Sequence, residues 1–330
     1  MKDENLYLLD SIFVNDIRDP LRIDIYLSQR FPETGRTQIQ KQIANKWILV
    51  NNHETDKGTK VQANDHILIF TPYKSKTECI PNPSIVPNIV FEDDALIVLN
   101  KPAGLQVHPA SGNHDNTLLN GLVAYLESEE VHLVHRLDKF TSGLIVFAKT
   151  EKARDRLSEA FSKKTARRKY NALVWGKMAS EGTINEAIGR LPENRQRFGP
   201  LSKFDGGKSA ITHFKTLKSF SFHSLIECLL ETGRTHQIRV HMQFNKTPII
   251  GDFEYGGDKL LLGIREENYI KNMEKLLSLF NGQALHAIAL DFPHPETNER
   301  MHFTVALPDN FMEALELLEK VDEDLGRIMK

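Results

Sequence analysis

Apolar positions along this chain fall into a short opening block and a longer, strand-rich second block. Before residue 71 they come in small groups. Ile25, Tyr26 and Leu27, followed by Phe31, predict a short helix. A second helix is expected over Thr37–Lys46, with Thr37 as its N-cap and Ile39 and Ile43 four apart on one face. Ile48-Leu49-Val50 then reads as a strand entering the turn Asn51-Asn52. Val61 opens a further extended stretch, and Asn64-Asp65 turns the chain into Ile67-Leu68-Ile69-Phe70. Residues 71–88 set Pro72, Pro81, Pro83 and Pro87 among polar residues and read as a linker.

The longer block opens with Ile89-Val90-Phe91 and Ala95-Leu96-Ile97-Val98-Leu99, two strands joined through Glu92-Asp93-Asp94. Asn116 or Thr117 caps a helix to about Ser128, with Leu118, Leu122 and Leu126 four apart. Leu144-Ile145-Val146-Phe147 has no polar alternation, as expected of a buried strand. Ala153, Leu157, Ala160 and Phe161 mark one side of an amphipathic helix over 151–163. Strands are expected over 170–175, 210–220 and 224–230, then a turn and helix over 233–245. Helical residues over 260–280 read as an insertion at the domain edge, and strands over 284–292 and 301–305 complete the pattern. The expected fold class is α+β, a mostly antiparallel mixed sheet with helices packed on it, preceded by a small separate domain. The boundaries read as an extension at 1–19, the small domain at 20–70, the linker at 71–88, the main domain at 89–310 and an acidic helix or tail at 311–330.

Composition narrows the function class. With 40% hydrophobic and 26% charged residues the chain reads as an ordinary globular protein, and no apolar run approaches bilayer length. The start, Met1-Lys2-Asp3-Glu4-Asn5, has no signal-type pattern, so a cytoplasmic location and no membrane partner are expected. Two cysteines, Cys79 and Cys228, are too few for a disulfide framework or a cysteine-based zinc site. The net charge of −2 argues against a wholesale polyanion binder but leaves room for a local basic groove. Arg22, Arg30, Arg36, Lys41 and Lys46 face only Asp24 and Glu33 between positions 22 and 46, and Lys163, Lys164, Arg167, Arg168 and Lys169 face no acid at all.

The most telling stretch is Val134-His135-Arg136-Leu137-Asp138-Lys139-Phe140-Thr141-Ser142-Gly143-Leu144. A loop exposes Asp138, and the strand behind the loop can fix it. An aspartate in such a loop is more often a turn or cap residue. Its company elsewhere in the chain weighs against that plainer role.

Four segments resemble the RluA family of pseudouridine synthases. They are Leu99–Pro109, His135–Gly143, Arg168–Gly176 and Glu231–His241, with a weaker match over Gln283–Ala287 and Phe292–Pro295. Arg22-Ile23-Asp24, Gly35–Lys41 and the strand ending at Val50-Asn51 resemble an S4-like RNA-binding domain. Together they imply a pseudouridine synthase catalytic domain behind a small RNA-binding domain, a layout similar to the ribosomal RNA branch of the family. The implied partner is RNA, ribosomal first and transfer RNA second, and a monomer is expected.

The implied reaction breaks the bond from ribose to uracil N1, turns the base and rejoins it through C5. Nothing is oxidised and no group is added, so neither cofactor nor metal is expected. The chain has no Gly-rich phosphate loop. His236 and His241 are five apart, the wrong spacing for one helical face. The resemblance assigns the catalytic carboxylate to Asp138 and makes Arg239 the guanidinium that keeps it ionised, since burial alone raises a carboxylate pKa. Without the resemblance Arg239 reads as a surface helix arginine. Tyr170 is expected to stack on the flipped uracil and to offer its hydroxyl as a base; the plainer alternative is a half-buried strand tyrosine. Arg136 is expected to fill the space left by the flipped base or to grip a phosphate. Lys101, His135, Arg22, Arg36, Lys41, Arg167, Arg168, Arg234 and His236 complete the expected RNA contacts. A catalytically idle RNA-binding factor of the same fold is the alternative, disfavoured by the intact Asp138, Tyr170 and Arg239 set. A hydrolase is disfavoured because Glu231 is the sole other acid in the matching segments.

Overall fold

The structure, a computed structural model, describes residues 6–31, 34–72, 79–110, 112–192, 194, 197–261 and 266–328. The chain divides into two compact units, Met1–Glu78 and Cys79–Lys330.

The first unit runs β1 (Leu6–Phe13), β2 (Leu21–Arg22), α1 (Ile23–Arg30), α2 (Arg36–Ala44), β3 (Ile48–Val50), β4 (His53–Glu54), β5 (Lys60–Val61) and β6 (His66–Pro72). Its main sheet has the order β1-β6-β3-β4, and β2 pairs with β5. Ile23 and Leu27 of α1 and Ile39 and Ile43 of α2 meet Ile48 and Ile67 in a small buried core. Strand β1 corrects the reading of 1–19 as an extension, since it pairs antiparallel with β6 and buries Ile12. A register shift between Leu8 and Asp10 breaks the period-two alternation by which a strand is read from sequence. Helix α2 also starts earlier than expected, with Gly35 at φ 27° as its N-cap in place of Thr37.

The second unit continues with β7 (Ile89–Glu92), β8 (Leu96–Lys101), α3 (Leu118–Leu126), β9 (His132–Leu133), β10 (Ser142–Ala148), α4 (Glu151–Ser162) and β11 (Arg167–Trp175). Then come β12 (Glu181–Asn185), β13 (Ile188–Arg190), β14 (Phe198–Pro200), β15 (Ile211–Ser219), β16 (His223–Leu230) and α5 (Gln237–Phe244). The unit ends with α6 (Glu267–Ser278), β17 (Leu285–Pro293), β18 (Arg300–Thr304) and α7 (Asp309–Ile328). Its 10-stranded sheet has the order β12-β15-β16-β11-β17-β10-β8-β7, with β18 on β17 and β9 on β10. The β10–β17 pair is parallel and its neighbours are antiparallel, so the sheet is mixed as expected.

Strands β8 and β10 explain why their sequence shows no polar alternation. Ile97, Leu99, Ile145 and Phe147 enter one core with α3, α5, α6 and α7, whereas Leu96, Val98, Leu144 and Val146 enter a second core with α4. At the start of β10, Gly143 has φ 105° and lies so close to β17 that a Cβ would sit 2.3 Å from the Ala287 carbonyl oxygen. The loop carrying Asp138 is therefore anchored at its far end by a strand locked on both faces.

Three boundary expectations change. Residues 79–88 pack on the second unit, with the Asn120 side chain donating to the Ile80 carbonyl at 2.8 Å and the Asn82 amide donating to the Asn120 carbonyl at 3.0 Å. Prolines limit φ there without preventing packing; residues 73–78 of the expected linker lie outside the described residues. Helix α6 is no edge insertion, because Tyr269, Met273 and Leu276 are buried in the larger core. The acidic tail is α7, whose Phe311, Ala314, Leu318, Val321 and Leu325 cover that same core at helical spacing.

Candidate active site

Asp138 lies in the loop between β9 and β10, and its side chain is 18% exposed. The loop is closed by a bond from the Thr141 amide to the Asp138 carbonyl at 3.1 Å. The Thr141 hydroxyl accepts from Gln283 Nε2 at 2.9 Å, and Ser142 Oγ lies 2.8 Å from His286 Nδ1. Below the loop, buried Lys101 donates to the carbonyls of Pro102, Leu105 and Lys139 at 2.8, 2.8 and 3.0 Å. One ammonium thereby ties the Lys101–Leu105 turn to the residue after Asp138. Burial pushes the Lys101 pKa down to about 7, against the pull of Asp138.

Arg239 projects from the first turns of α5. That helix is seated by buried Gln237, whose Oε1 accepts from Thr232 Oγ1 and the Arg234 amide and whose Nε2 donates to the Ile211 carbonyl. Arg239 Nη1 reaches Asp138 Oδ2 at 3.3 Å, while Nε and Nη2 hold Asp252 at 2.7 and 2.8 Å. Nη2 also pairs with Glu254, and the guanidinium lies over the Tyr255 ring. Burial opposes the charge of Arg239, and Asp252, Asp138 and Glu254 overcome it, so the pKa is raised above its ordinary value. His236 precedes the helix at φ 57°, with Nε2 3.9 Å from Asp138 Oδ1 and Nδ1 2.9 Å from the Tyr255 hydroxyl. Its pKa is lowered by burial, against Asp138.

Tyr170 stands on β11 with its ring buried, lining the same cleft as Asp138 with Arg136, Arg168, Ile238 and Leu285. Burial raises its phenol pKa, opposed by Arg168 and reinforced by Asp138, so the hydroxyl holds its proton at neutral pH. On the other side of Asp138 the cleft widens to about 560 Å³, bounded by Gln106, His108, Phe140 and Phe253.

The fold thus brings Asp138, Arg239, Tyr170, Arg136, Arg168, Arg234 and His236 to one cleft. Arg136 is exposed at its mouth, and Arg234 is held by a bond from Nε to the Ser209 carbonyl at 3.1 Å. Arg168 lies half-buried over the Phe161 ring and against Gly233, on the cleft side of β11, while its neighbour Arg167 is exposed. Two expected RNA contacts are corrected. Lys101 is 1% exposed and spends its ammonium on three carbonyls. His135 turns inward, packing on Phe161 and accepting the Val146 amide at Nε2 (3.2 Å), and burial with nearby Arg168 pushes its pKa down to about 3. A neutral, inward ring cannot attract phosphate. Arg22, Arg36 and Lys41 belong to the first unit, where Arg22 and Arg36 both grip the buried carboxylate of Asp24.

Sequence reasoning missed Asp252 and Glu254, so the matching segments are not the sole source of acid at Asp138. Arg239 binds both carboxylates together with Asp138; Asp252 is fully buried, whereas Glu254 lines the wider side of the cleft with Asp138. The signal was Gly251-Asp252-Phe253-Glu254-Tyr255-Gly256, two acids and two aromatics between glycines just after the strand-like Pro248-Ile249-Ile250.

Residues 95–244 match the family model described as RNA pseudouridylate synthase. The chain is 40% identical over 302 residues to the ribosomal large subunit pseudouridine synthase D of Neisseria meningitidis serogroup A, covering 90% of this chain and 78% of that one. It is 37% identical over 307 residues to the uncharacterised RNA pseudouridine synthase YlyB of Bacillus subtilis, covering 91% and 94%. Among solved structures, human RNA pseudouridylate synthase domain containing 4 matches with a TM-score of 0.56 and 27% identity, over 70% of this chain and 93% of that one.

Proposed function

The chain belongs to the RNA pseudouridylate synthase family, and from that premise we propose that it isomerises uridines of large-subunit ribosomal RNA with Asp138 as the catalytic carboxylate. As an RNA pseudouridine synthase it breaks the bond from C1′ to N1 and forms one from C1′ to C5; the proton on C5 leaves and N1 takes one up. The observation that carries the reading is the ion pair of Asp138 and Arg239 at 3.3 Å, in a cleft walled by Tyr170. Arg239 engages Oδ2 of Asp138 and leaves Oδ1 for the substrate. Because Arg239 is itself held by Asp252, the pair costs little reorganisation when the ribose arrives. Tyr170 supplies a flat apolar wall for a uracil taken out of its stack. Arg136, exposed at the cleft mouth, occupies the place vacated by that base or holds the adjoining phosphate.

Ribosomal RNA as substrate is supported by the large-subunit names of the relatives. That substrate supports a cytoplasmic enzyme. Arg22, Arg36 and Lys41 of the first unit add a basic, partly exposed face for RNA backbone.

The test uses unmodified large-subunit ribosomal RNA carrying tritium at uracil C5. The protein is expected to release tritium, and Asp138→Asn to release none while still retaining RNA on a filter. Equal release from both proteins would remove Asp138 from the chemistry, and release from transfer RNA alone would reassign the substrate.

A further inference from the structure

The cleft around Asp138 has two lobes. The narrower one holds Tyr170, Arg168 and Leu285, and the wider one, about 560 Å³, lies toward Phe140 and Phe253. Arg136, Leu137, Asp138, His236 and Arg239 line both. A single uracil on Tyr170 fills the narrow lobe and leaves the wide one unexplained.

We propose that the wide lobe is a second base-binding subsite, in which Phe253 stacks on the nucleobase next to the target uridine. This rests on the reading of the chain as a uridine isomerase acting through Asp138. Phe253 is 52% exposed although it sits beside a buried ion-pair cluster, so its ring faces the lobe while its neighbours Asp252 and Glu254 hold Arg239. Phe140 braces it edge-to-face, with ring centroids 5.8 Å apart. Phe140 is in turn seated on Gly282, where a Cβ would come within 2.4 Å of its ring. The platform is therefore built from the catalytic loop on one side and the Asp252–Tyr255 turn on the other.

The exposed aromatic face of Phe253 suits a base. Glu254 and Asp138 line the wide lobe beside Arg239, which pairs with both, and a base there offers a face to Phe253 and ring or amino N–H groups to Glu254. Cations sit where the connecting backbone must pass. Arg136 lines both lobes, and Lys139 Nζ lies 5.2 Å from the Phe140 ring centroid. Two adjacent nucleotides, one on Tyr170 and one on Phe253, would then straddle Asp138. The identity of the neighbour becomes a determinant of which uridine reacts.

The experiment is a double-mutant cycle between protein and RNA. Synthetic stem-loops carrying the mapped target uridine are prepared intact, or with an abasic ribose at the 5′ or the 3′ neighbour. Each is assayed for kcat/KM with the full-length protein, with Phe253→Ala and with Phe253→Trp. Loss of one base stack is expected to slow the wild type about tenfold at one of the two neighbours, and Phe253→Ala to slow the intact RNA by a similar factor. Combined at that neighbour, the two changes should cost no more than either alone, and Phe253→Trp should restore most of the rate. Multiplicative effects at both neighbours, or full activity of Phe253→Ala on intact RNA, would overturn the subsite. A wild-type protein inactive on the intact stem-loop and on ribosomal RNA would instead overturn the isomerase reading itself.

Discussion

Arg239 touches Asp138 with a single nitrogen, Nη1 at 3.3 Å, and commits Nε and Nη2 to the fully buried Asp252 at 2.7 and 2.8 Å. The better geometry belongs to the partner that does not line the cleft. Asp252 thus fixes the guanidinium plane, and the guanidinium fixes Asp138, leaving Asp138, the proposed catalytic carboxylate, the more loosely held of the two.

Asp252→Asn is expected to lower kcat about tenfold to a hundredfold with KM nearly unchanged, because Asp252 has no exposure to RNA. Arg239→Lys should be worse, since an ammonium cannot span Asp138 and Asp252 together. Single-turnover rates at saturating protein, alongside filter-binding affinities, check both. A rise in KM with kcat intact would mean that Asp252 serves RNA binding and not the alignment of Arg239.

How far the sequence reveals this arrangement differs between its parts. Asp138, Tyr170 and Arg239 lie in the segments that carry the family resemblance, and the strand behind Asp138 is legible as an unbroken apolar run. Asp252 and Glu254 were not legible, because an acid on a loop resembles an ordinary turn residue until the arginine it pairs with is placed beside it. Lys101 and His135 misled for the opposite reason. Both residue types suggest RNA contact, and only tertiary packing shows that their polar atoms face carbonyls and a backbone amide. Strand β1 escaped because its bulge interrupts the alternation.

Tyr170 separates stacking from proton transfer. Its raised pKa keeps the hydroxyl protonated at neutral pH, so a general-base role requires proton loss concerted with substrate chemistry. Tyr170→Phe keeps the ring and should bind flipped RNA normally while losing at least tenfold in tritium release. Tyr170→Leu should lose binding as well. Full activity in Tyr170→Phe would leave stacking as the sole contribution of this side chain.

Acid stability follows from buried imidazoles. His223 and His286 are each 1% exposed, and burial lowers their pKa values to about 3 and about 4. Above the ordinary histidine pKa near 6.5 neither state is protonated and the penalty is nil. As pH falls below about 6.5 the unfolded chain gains protons that the folded one refuses, so stability is lost down to the folded pKa values. At pH 5 this amounts to about 2 kcal/mol for each histidine. The urea midpoint of the second unit should therefore drop between pH 7.5 and pH 5, and His223→Phe should reduce the drop. A midpoint flat across that range would contradict the buried, neutral assignment.

The first unit offers the last test. Asp24 has no exposed side-chain surface and receives Arg22 at 3.1 Å, Arg36 at 2.9 Å and Gln40 Nε2 at 2.7 Å. Burial raises its pKa, but the bonds from Gln40, Arg22 and Arg36 outweigh that and bring it below the ordinary carboxylate range. Its stabilisation is present above the unfolded carboxylate pKa, near 3.9, and is lost as pH falls toward the depressed value. The Arg22 and Arg36 side chains are 42% and 49% exposed, so Asp24 holds them in place without hiding them. Arg22→Ala with Arg36→Ala should weaken RNA binding and flatten its dependence on salt by about two phosphate contacts. The maximal rate should hold, since both arginines belong to the first unit and Asp138 to the second. Asp24→Asn should raise KM several-fold at pH 7 by loosening both arginines while leaving their charge in place. If the salt slope of the double arginine variant matched that of the wild type, these side chains would be bracing the fold and not meeting RNA.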